Sequence, residues 1–353
     1  MRNRTSRVEF GPRVTMETGP ANWLDLRLTC KILLLVVVGI FGFSWSACGQ
    51  ADDGPVSCPL VVRDVHGIVV HGLKPNDFES PFPVVSIKPD YRPRRIVIVL
   101  DASGSMLGDP LTGSWNLVTD LVEHAARQGG GKAQLALLVF NSEVREVVDF
   151  TQGNALVLAR IHAIATDPEY KKTFVRGHTA LYDALDKGLS LFSTPSQADA
   201  LFVVTDAGDN MSRTTPNKLT ASLLAHGVRL FAVVVAHPLG YRNRTPEELN
   251  NASDNLQGPV EKTGGSLFGP IEWLPGRHLA QVANLSEHIS VAQALTHFYA
   301  GMFESDLIVV QPPLGIRRGS EWKLHFAKSS EKPVGNRIEY PTMLSACESS
   351  VSH

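Results

Sequence analysis

Residues 96–105 read Ile96-Val97-Ile98-Val99-Leu100-Asp101-Ala102-Ser103-Gly104-Ser105. An uninterrupted apolar run of strand length, rich in β-branched residues, marks a parallel strand covered by helices on both faces. The polar run that follows puts a carboxylate and two hydroxyls beyond the strand's carboxyl end, where open α/β sheets bind ligands. With the backbone near extended, positions i, i+2 and i+4 point the same way, so Asp101, Ser103 and Ser105 converge.

The same signature repeats outward. Ala133–Phe140, Ala200–Thr205 and Arg229–Val235 read as covered strands. Between them lie stretches of helical period: Leu117, Leu121, Val122 and Ala125; Leu158, Ile161 and Ile164; Leu181, Leu185 and Leu189. Strands alternating with amphipathic helices predict an α/β fold with a doubly wound, mostly parallel, Rossmann-like sheet. Val144–Asp149 follows so closely on Phe140 that it reads as an antiparallel edge hairpin. Asn284 with Glu287 resembles a capping box opening a helix from Leu285 to about Phe303, which closes the domain at residues 94–304.

The flanks differ. Leu60–Phe78 mixes β-branched and polar residues and breaks at Gly67 and Gly72, reading as a hairpin of short strands. Pro81, Pro83, Pro89 and Pro93 make Ser80–Arg95 a stiff extended linker, so residues 51–93 form a β segment and linker. From residue 305 to 353 short strand-like stretches return (LIVV, EWKLHF, NRIEY) between Pro and Gly clusters. The two flanks together predict one small β module beside the α/β domain.

Of the 353 residues, 43% are hydrophobic and 19% charged, which excludes wholesale disorder. With 33 Lys+Arg against 35 Asp+Glu, the net charge of -2 supplies no global basic field, and nucleic acid is a poor partner. Residues 1–50 carry the address. Arg2, Arg4, Arg7, Arg13, Arg27 and Lys31 precede the uncharged run Ile32–Phe43, which small residues follow. That run is short for a full span of about 20 residues and fits the apolar core of an export signal. Either it is cleaved or it stays as a membrane anchor with its positive side in the cytoplasm. Both readings export the rest, to the periplasm, the cell envelope or the medium.

There are 4 cysteines: Cys30, Cys48, Cys58 and Cys347. Cys48 follows small residues as a bacterial lipoprotein cysteine does, although Trp45 stands where such a box has Leu; lipidation and an incidental cysteine are the alternatives. If Cys48 is removed or lipidated, Cys58 and Cys347 remain as a pair in a compartment where disulfides persist.

Two further oxygen donors fall at loops expected on the rim beside Asp101. Thr179 opens a helix in Gly177-His178-Thr179-Ala180, and Asp206 follows the strand LFVVT in Thr205-Asp206-Ala207-Gly208-Asp209. A set of hard oxygens without Cys or His selects a hard cation, Mg²⁺ or Mn²⁺, over zinc. Asp209 reads as a supporting or solvated acid and His178 as a loop residue.

The order of these elements resembles the von Willebrand factor type A domain with its metal-ion-dependent adhesion site. The DxSxS of Asp101, Ser103 and Ser105, the Thr of a second loop (Thr179) and the Asp of a third (Asp206) match that pattern over about Arg94–Phe303. Ala207 departs from it, because the third loop is usually TDG. Val62, Asp64, Gly67, Val70, Gly72, Leu73, Asp77 and Phe78, with Tyr340, Pro341, Leu344 and Cys347, are similar to exported bacterial proteins of the acidobacterial type. The resemblance implies cation-dependent capture of a partner's Asp or Glu, and a shift of the helix Leu285–Phe303 when it occurs.

Enzyme readings lack their parts. A haloacid-dehalogenase phosphatase needs a second Asp where Ser103 stands. A nucleophile elbow needs Gly two residues either side of its Ser, which neither Ser103 nor Ser105 has. Gly129-Gly130-Gly131-Lys132 is followed by Ala133 in place of the Ser/Thr of a phosphate loop, and reads as a helix-to-strand turn. Two functions remain: a non-enzymatic, metal-dependent binding or adhesion module, and an envelope structural or assembly component with an architectural metal site.

Overall fold

In the computed structural model, residues 54–107, 109–128, 133–236, 246–273, 280–282, 289–316, 319–328 and 337–349 are described. The apolar run Ile32–Phe43, Cys30, Cys48 and the Gly129–Lys132 turn lie outside them. In chain order the strands are β1 (Val56–Arg63), β2 (Phe78–Glu79), β3 (Val84–Pro89), β4 (Arg94–Asp101), β5 (Ala133–Phe140), β6 (Val144–Val148), β7 (Ala200–Thr205), β8 (Arg229–Ala236), β9 (Leu267–Trp273), β10 (Ala280–Val282), β11 (Asp306–Val310), β12 (His325–Phe326), β13 (Arg337–Glu339) and β14 (Glu348–Ser349). The helices are α1 (Asp109–Gln128), α2 (Asn154–Thr166), α3 (Pro168–Phe174), α4 (Leu181–Leu189), α5 (Pro216–His226), α6 (Pro246–Thr263) and α7 (Val291–Phe303). Among the described residues no helix is long and apolar enough to cross a membrane.

The central sheet has 7 strands in the order β10-β9-β8-β7-β4-β5-β6. β4 runs parallel to β5 on one side and β7 on the other, β8 and β9 continue parallel, and β6 closes one edge antiparallel to β5, as the hairpin reading expects. Period-two alternation then sorts the side chains of β4. Ile96, Ile98 and Leu100 join the core beneath α1, α2 and α7, whereas Val97 and Val99 join the core shared with α4, α5 and α6. Being apolar from Ile96 to Leu100, β4 is stable only with both faces covered there.

A second, antiparallel sheet of 5 strands combines the two flanks, in the order β13-β1-β11-β3 with β14 also on β1. Leu60–Phe78 is therefore not a hairpin of paired strands. β1 takes its partners from the far end of the chain, and the return stretch contributes only an isolated bridge, Arg63 with Val69. The proline-rich stretch holds a strand after all. β3 pairs with β11 on one side only, an edge position that leaves its terminal Pro89 without a ladder bond to lose. Cys58 and Cys347, both buried, are joined by a disulfide with Cα atoms 4.7 Å apart, packed with Phe82, Trp322 and Leu344.

The last helix starts later than its sequence suggests. Residues 289 and 290 are not helical, and the Ser290 hydroxyl accepts from Gln293 N while Gln293 reaches back to Ser290 N, a capping box of the expected kind at another place. Asn284 and Glu287 lie outside the described residues.

Candidate functional site

β4 and β7 are neighbours whose onward connections leave in opposite directions, β4 toward β5 and β7 toward β8. This is the point of an open sheet where a crevice forms beyond the carboxyl ends. Asp101 ends β4, and Asp206 follows Thr205, which ends β7.

Asp101 is wholly buried, and both its oxygens are engaged. Oδ1 accepts from Ser103 N at 2.8 Å, and Oδ2 accepts from the Thr205 hydroxyl at 2.6 Å. Burial, with the Asp206 carboxylate next in weight, pushes the Asp101 carboxyl up to about 7 against hydrogen bonds from Thr205 and Ser103 that lower it. Past Asp101 the chain does not stay extended. Gly104–Met106 forms a 3-10 turn, and that turn, not strand geometry, brings Ser103 Oγ and Ser105 Oγ to 3.1 Å. Ser103 is buried and Ser105 exposed, so the hydroxyls lead from the core to the surface.

Backbone bonds tie the three loops together. Gly104 N donates to Gly177 O at 3.1 Å, and a Cβ on residue 104 would press that same oxygen at 3.2 Å, so a side chain there would be tightly accommodated. Thr179 N donates to the Asn210 side chain at 3.0 Å, and Thr179 O accepts from Asn210 N and Met211 N. Thr179 is thereby fixed between the loop of Asp101 and that of Asp206. Asp206 Oδ1 accepts from Gly208 N at 3.0 Å, which shapes its turn. His178 is an exposed loop residue.

Three residues support this arrangement, of which Thr205 and Ser212 escape a sequence reading. Thr205 is the partner of Asp101, and its oxygen also accepts from Ala207 N at 3.1 Å. Asp209 accepts from Leu181 N and the Ser212 hydroxyl, and Ser212 Oγ accepts from Tyr182 N and Asp183 N. Together they cap α4, whose own N-cap, Ala180, has no side chain to do so. Ala207 has φ of 60°, the left-handed conformation that glycine adopts without strain, which accounts for the usual Gly at this place of a TDG loop.

Among the described residues no three His, Cys, Asp or Glu side chains cluster to hold a metal. A cation at this rim would rest on two carboxylates and neutral hydroxyls, and the donors present fit a hard, oxygen-seeking ion. A buried carboxylate, Asp101, repelled by half-buried Asp206 is also the arrangement that a positive charge relieves.

Comparison with known proteins gives a domain. Residues 96–259 match the von Willebrand factor type A domain. No curated protein matches the chain. Among solved structures it is similar to an aerotolerance-related membrane protein from Bacteroides fragilis NCTC 9343 carrying multiple mutations to serines, at 19% identity over 40% of this chain and 66% of that one, with a TM-score of 0.32. It is also similar to the conserved hypothetical protein BatB from Bacteroides thetaiotaomicron, at 13% identity over 59% of this chain and 86% of that one, with a TM-score of 0.33. A third, proximal thread matrix protein 1 of the mussel byssus, is 20% identical over 42% of this chain and 38% of its own length, with a TM-score of 0.33. The chain thus spans less than two thirds of the first and third of these proteins. The doubly wound sheet, the rim at its reversal point and the family match agree that residues 96–259 are a von Willebrand factor type A domain.

Proposed function

We propose that this is an exported interaction protein in which Asp101, Ser103, Ser105, Thr179 and Asp206 hold Mg²⁺ or Mn²⁺ and through it capture an acidic side chain of a protein partner. Domains of this type in general mediate protein–protein interaction or adhesion and are generally not enzymes. The observation that carries the cation reading is Asp101, a buried carboxylate raised by its own desolvation and by Asp206. Bound there, a hard dication supplies a Lewis-acidic position that a carboxylate can enter in place of water. Asp101 and Asp206 contribute the negative charge, and the hydroxyls of Ser103, Ser105 and Thr179 contribute neutral oxygens, which keeps the site short of anions and receptive to one more. Leu107 and Met211, exposed on two of the three loops, offer apolar surface beside it.

Export rests on the run Ile32–Phe43, cleaved or kept as an anchor, and on the Cys58–Cys347 disulfide, which persists in oxidising compartments. Cys48 remains the residue to examine for lipid.

Calorimetry is the direct test of the cation. Wild type should bind Mg²⁺ or Mn²⁺, and Asp101→Ala should lose that binding while its circular dichroism stays native; unchanged affinity would overturn the ligand assignment. Capture of envelope partners is then compared with Mg²⁺, with EDTA and with Thr179→Ala. The full burial of Asp101 and Ser103 favours a second reading, an envelope assembly component whose metal is architectural. Capture that survives both EDTA and Thr179→Ala would establish that one.

A further inference from the structure

Between the turn that follows β1, the start of β9 and the first half of α7 lies a pocket of about 270 Å³. Every residue lining it falls outside residues 96–259, and the flanking strands β1 and β13 supply its charged side. The floor is apolar, made of Leu267 and Phe268 with Ile289, Ala294 and Phe298. Val65 also lines it although 70% exposed, and Ile68 on the same turn is 48% exposed. Singly such exposure means little, but large apolar side chains left in water beside an apolar pocket mark a surface that a ligand would cover.

The turn is built before any ligand arrives. Asp64 Oδ1 accepts from His66 N and Ile68 N at 2.8 and 2.9 Å, and Gly67 takes the left-handed φ of 80°. Arg63 Nη1 donates to Gly67 O at 3.1 Å. His297 Nδ1 donates to His66 O at 2.9 Å, which pins the turn to α7 and places the proton of that ring. A pocket held in shape by such bonds spares its ligand the cost of ordering it.

On the charged side, one carboxylate serves two guanidinium groups. Buried Arg63 takes the larger share of buried Glu339, its Nε and Nη2 meeting Oε1 and Oε2 at 2.8 and 3.2 Å, and its Nη1 is spent on Gly67 O and His297 O. The Ser266 hydroxyl donates to the same Oε1 at 3.0 Å. Arg337, half exposed, is left with its Nε 3.3 Å from that crowded oxygen. Two guanidinium groups against one carboxylate leave one positive charge, and it rests on Arg337.

We propose that this pocket binds a small monocarboxylate with an apolar body, its ring or chain against Phe268 and Phe298 and its carboxylate on the Arg337 guanidinium. An apolar cavity of about 150 Å³ is enough for benzene, so this pocket has room for a ring on a short acid chain. The site does not depend on a cation at the rim.

Calorimetric titration of the full chain with phenylpropionate tests it, in EDTA so that no cation at the rim receives the carboxylate. Wild type and Asp101→Ala should bind one equivalent alike. Phenylpropanol, the same body without the charge, should bind at least fivefold more weakly than the acid. Arg337→Gln should weaken the acid at least fivefold, and Arg337→Lys should weaken it less. Val65→Asp, a change at an exposed position, should weaken the acid at least tenfold and the alcohol less. No binding of millimolar acid by wild type, equal binding of acid and alcohol, or an affinity unmoved by Arg337→Gln and Val65→Asp would overturn the proposal. Binding that appears only when Mg²⁺ replaces EDTA would belong to the rim and would overturn it too.

Discussion

The Thr205 hydroxyl donates to Asp101 Oδ2 at 2.6 Å and so joins the ends of β7 and β4 at the reversal point of the sheet. The same oxygen accepts from Ala207 N, which fixes the rotor, and the Ser103 amide occupies the other oxygen of Asp101. The carboxylate at the base of the rim is oriented before any ligand arrives.

Replacing that hydroxyl by a methyl of the same shape should therefore be felt. Thr205→Val leaves a buried carboxylate oxygen and a buried amide each short of a partner, a cost of about 1–3 kcal/mol. Thr205→Ser keeps both bonds. Urea denaturation should place Ser near wild type and Val clearly below it; equal midpoints would remove Thr205 from this role.

At Ala207 the expected sign is unusual. An L-residue in the left-handed region costs about 1–2 kcal/mol, which Ala207→Gly would regain against the entropy of glycine and a lost buried methyl. The substitution should be close to neutral, within about 1 kcal/mol. Ala136→Gly, in the interior of β5, has no such strain to relieve and should cost more. Denaturation of the two variants side by side checks the difference.

Asp90 should dominate part of the acid response. Burial alone would raise its pKa, but Arg92 and Arg94, each donating at 2.8 Å, together hold it well below the usual carboxylate range. A folded value below the unfolded one gives stability that is present above the ordinary pKa of 3.8 and is lost as pH falls toward the folded value. Wild type should weaken below about pH 4, and Asp90→Asn should show a flatter acid limb. At neutral pH the variant should be about 3–5 kcal/mol less stable, because Arg94 stays buried without its charge partner.

The Cys58–Cys347 disulfide closes a separation of 289 residues. Changing both to Ser should cost about 2–5 kcal/mol, on the chain-entropy account of disulfides. Peptide mapping of periplasmically expressed protein should recover the linked peptides; two free thiols would refute the bond.

What could be read in advance followed the physics of each element. β4, β5, β7 and β8 are legible because a strand buried on both faces has to be apolar throughout, and the rim donors because they follow such strands directly. β3 was hidden by its prolines, which an edge strand tolerates. α5, with Thr215 as cap and Pro216 at its first turn, carries local start signals that the surrounding apolar strands overshadow. α6 is interrupted by Pro259. Ser212 and Thr205 act across the fold on elements distant in sequence, and nothing near them in the chain announces it. Ser105 reaches Ser103 through a turn that alternation cannot represent.

The disulfide also decides how the molecule bears mechanical load. β1 enters at Val56 and β14 leaves at Ser349, side by side in one sheet, with Cys58 and Cys347 just inside them. Tension applied between the two ends of the described chain meets the pairs of Val56 and Ser57 with β14 and with β11 before it reaches a covalent bond. The central sheet and its rim hang on a closed ring outside that line of force, so they can keep their shape while the ends are pulled.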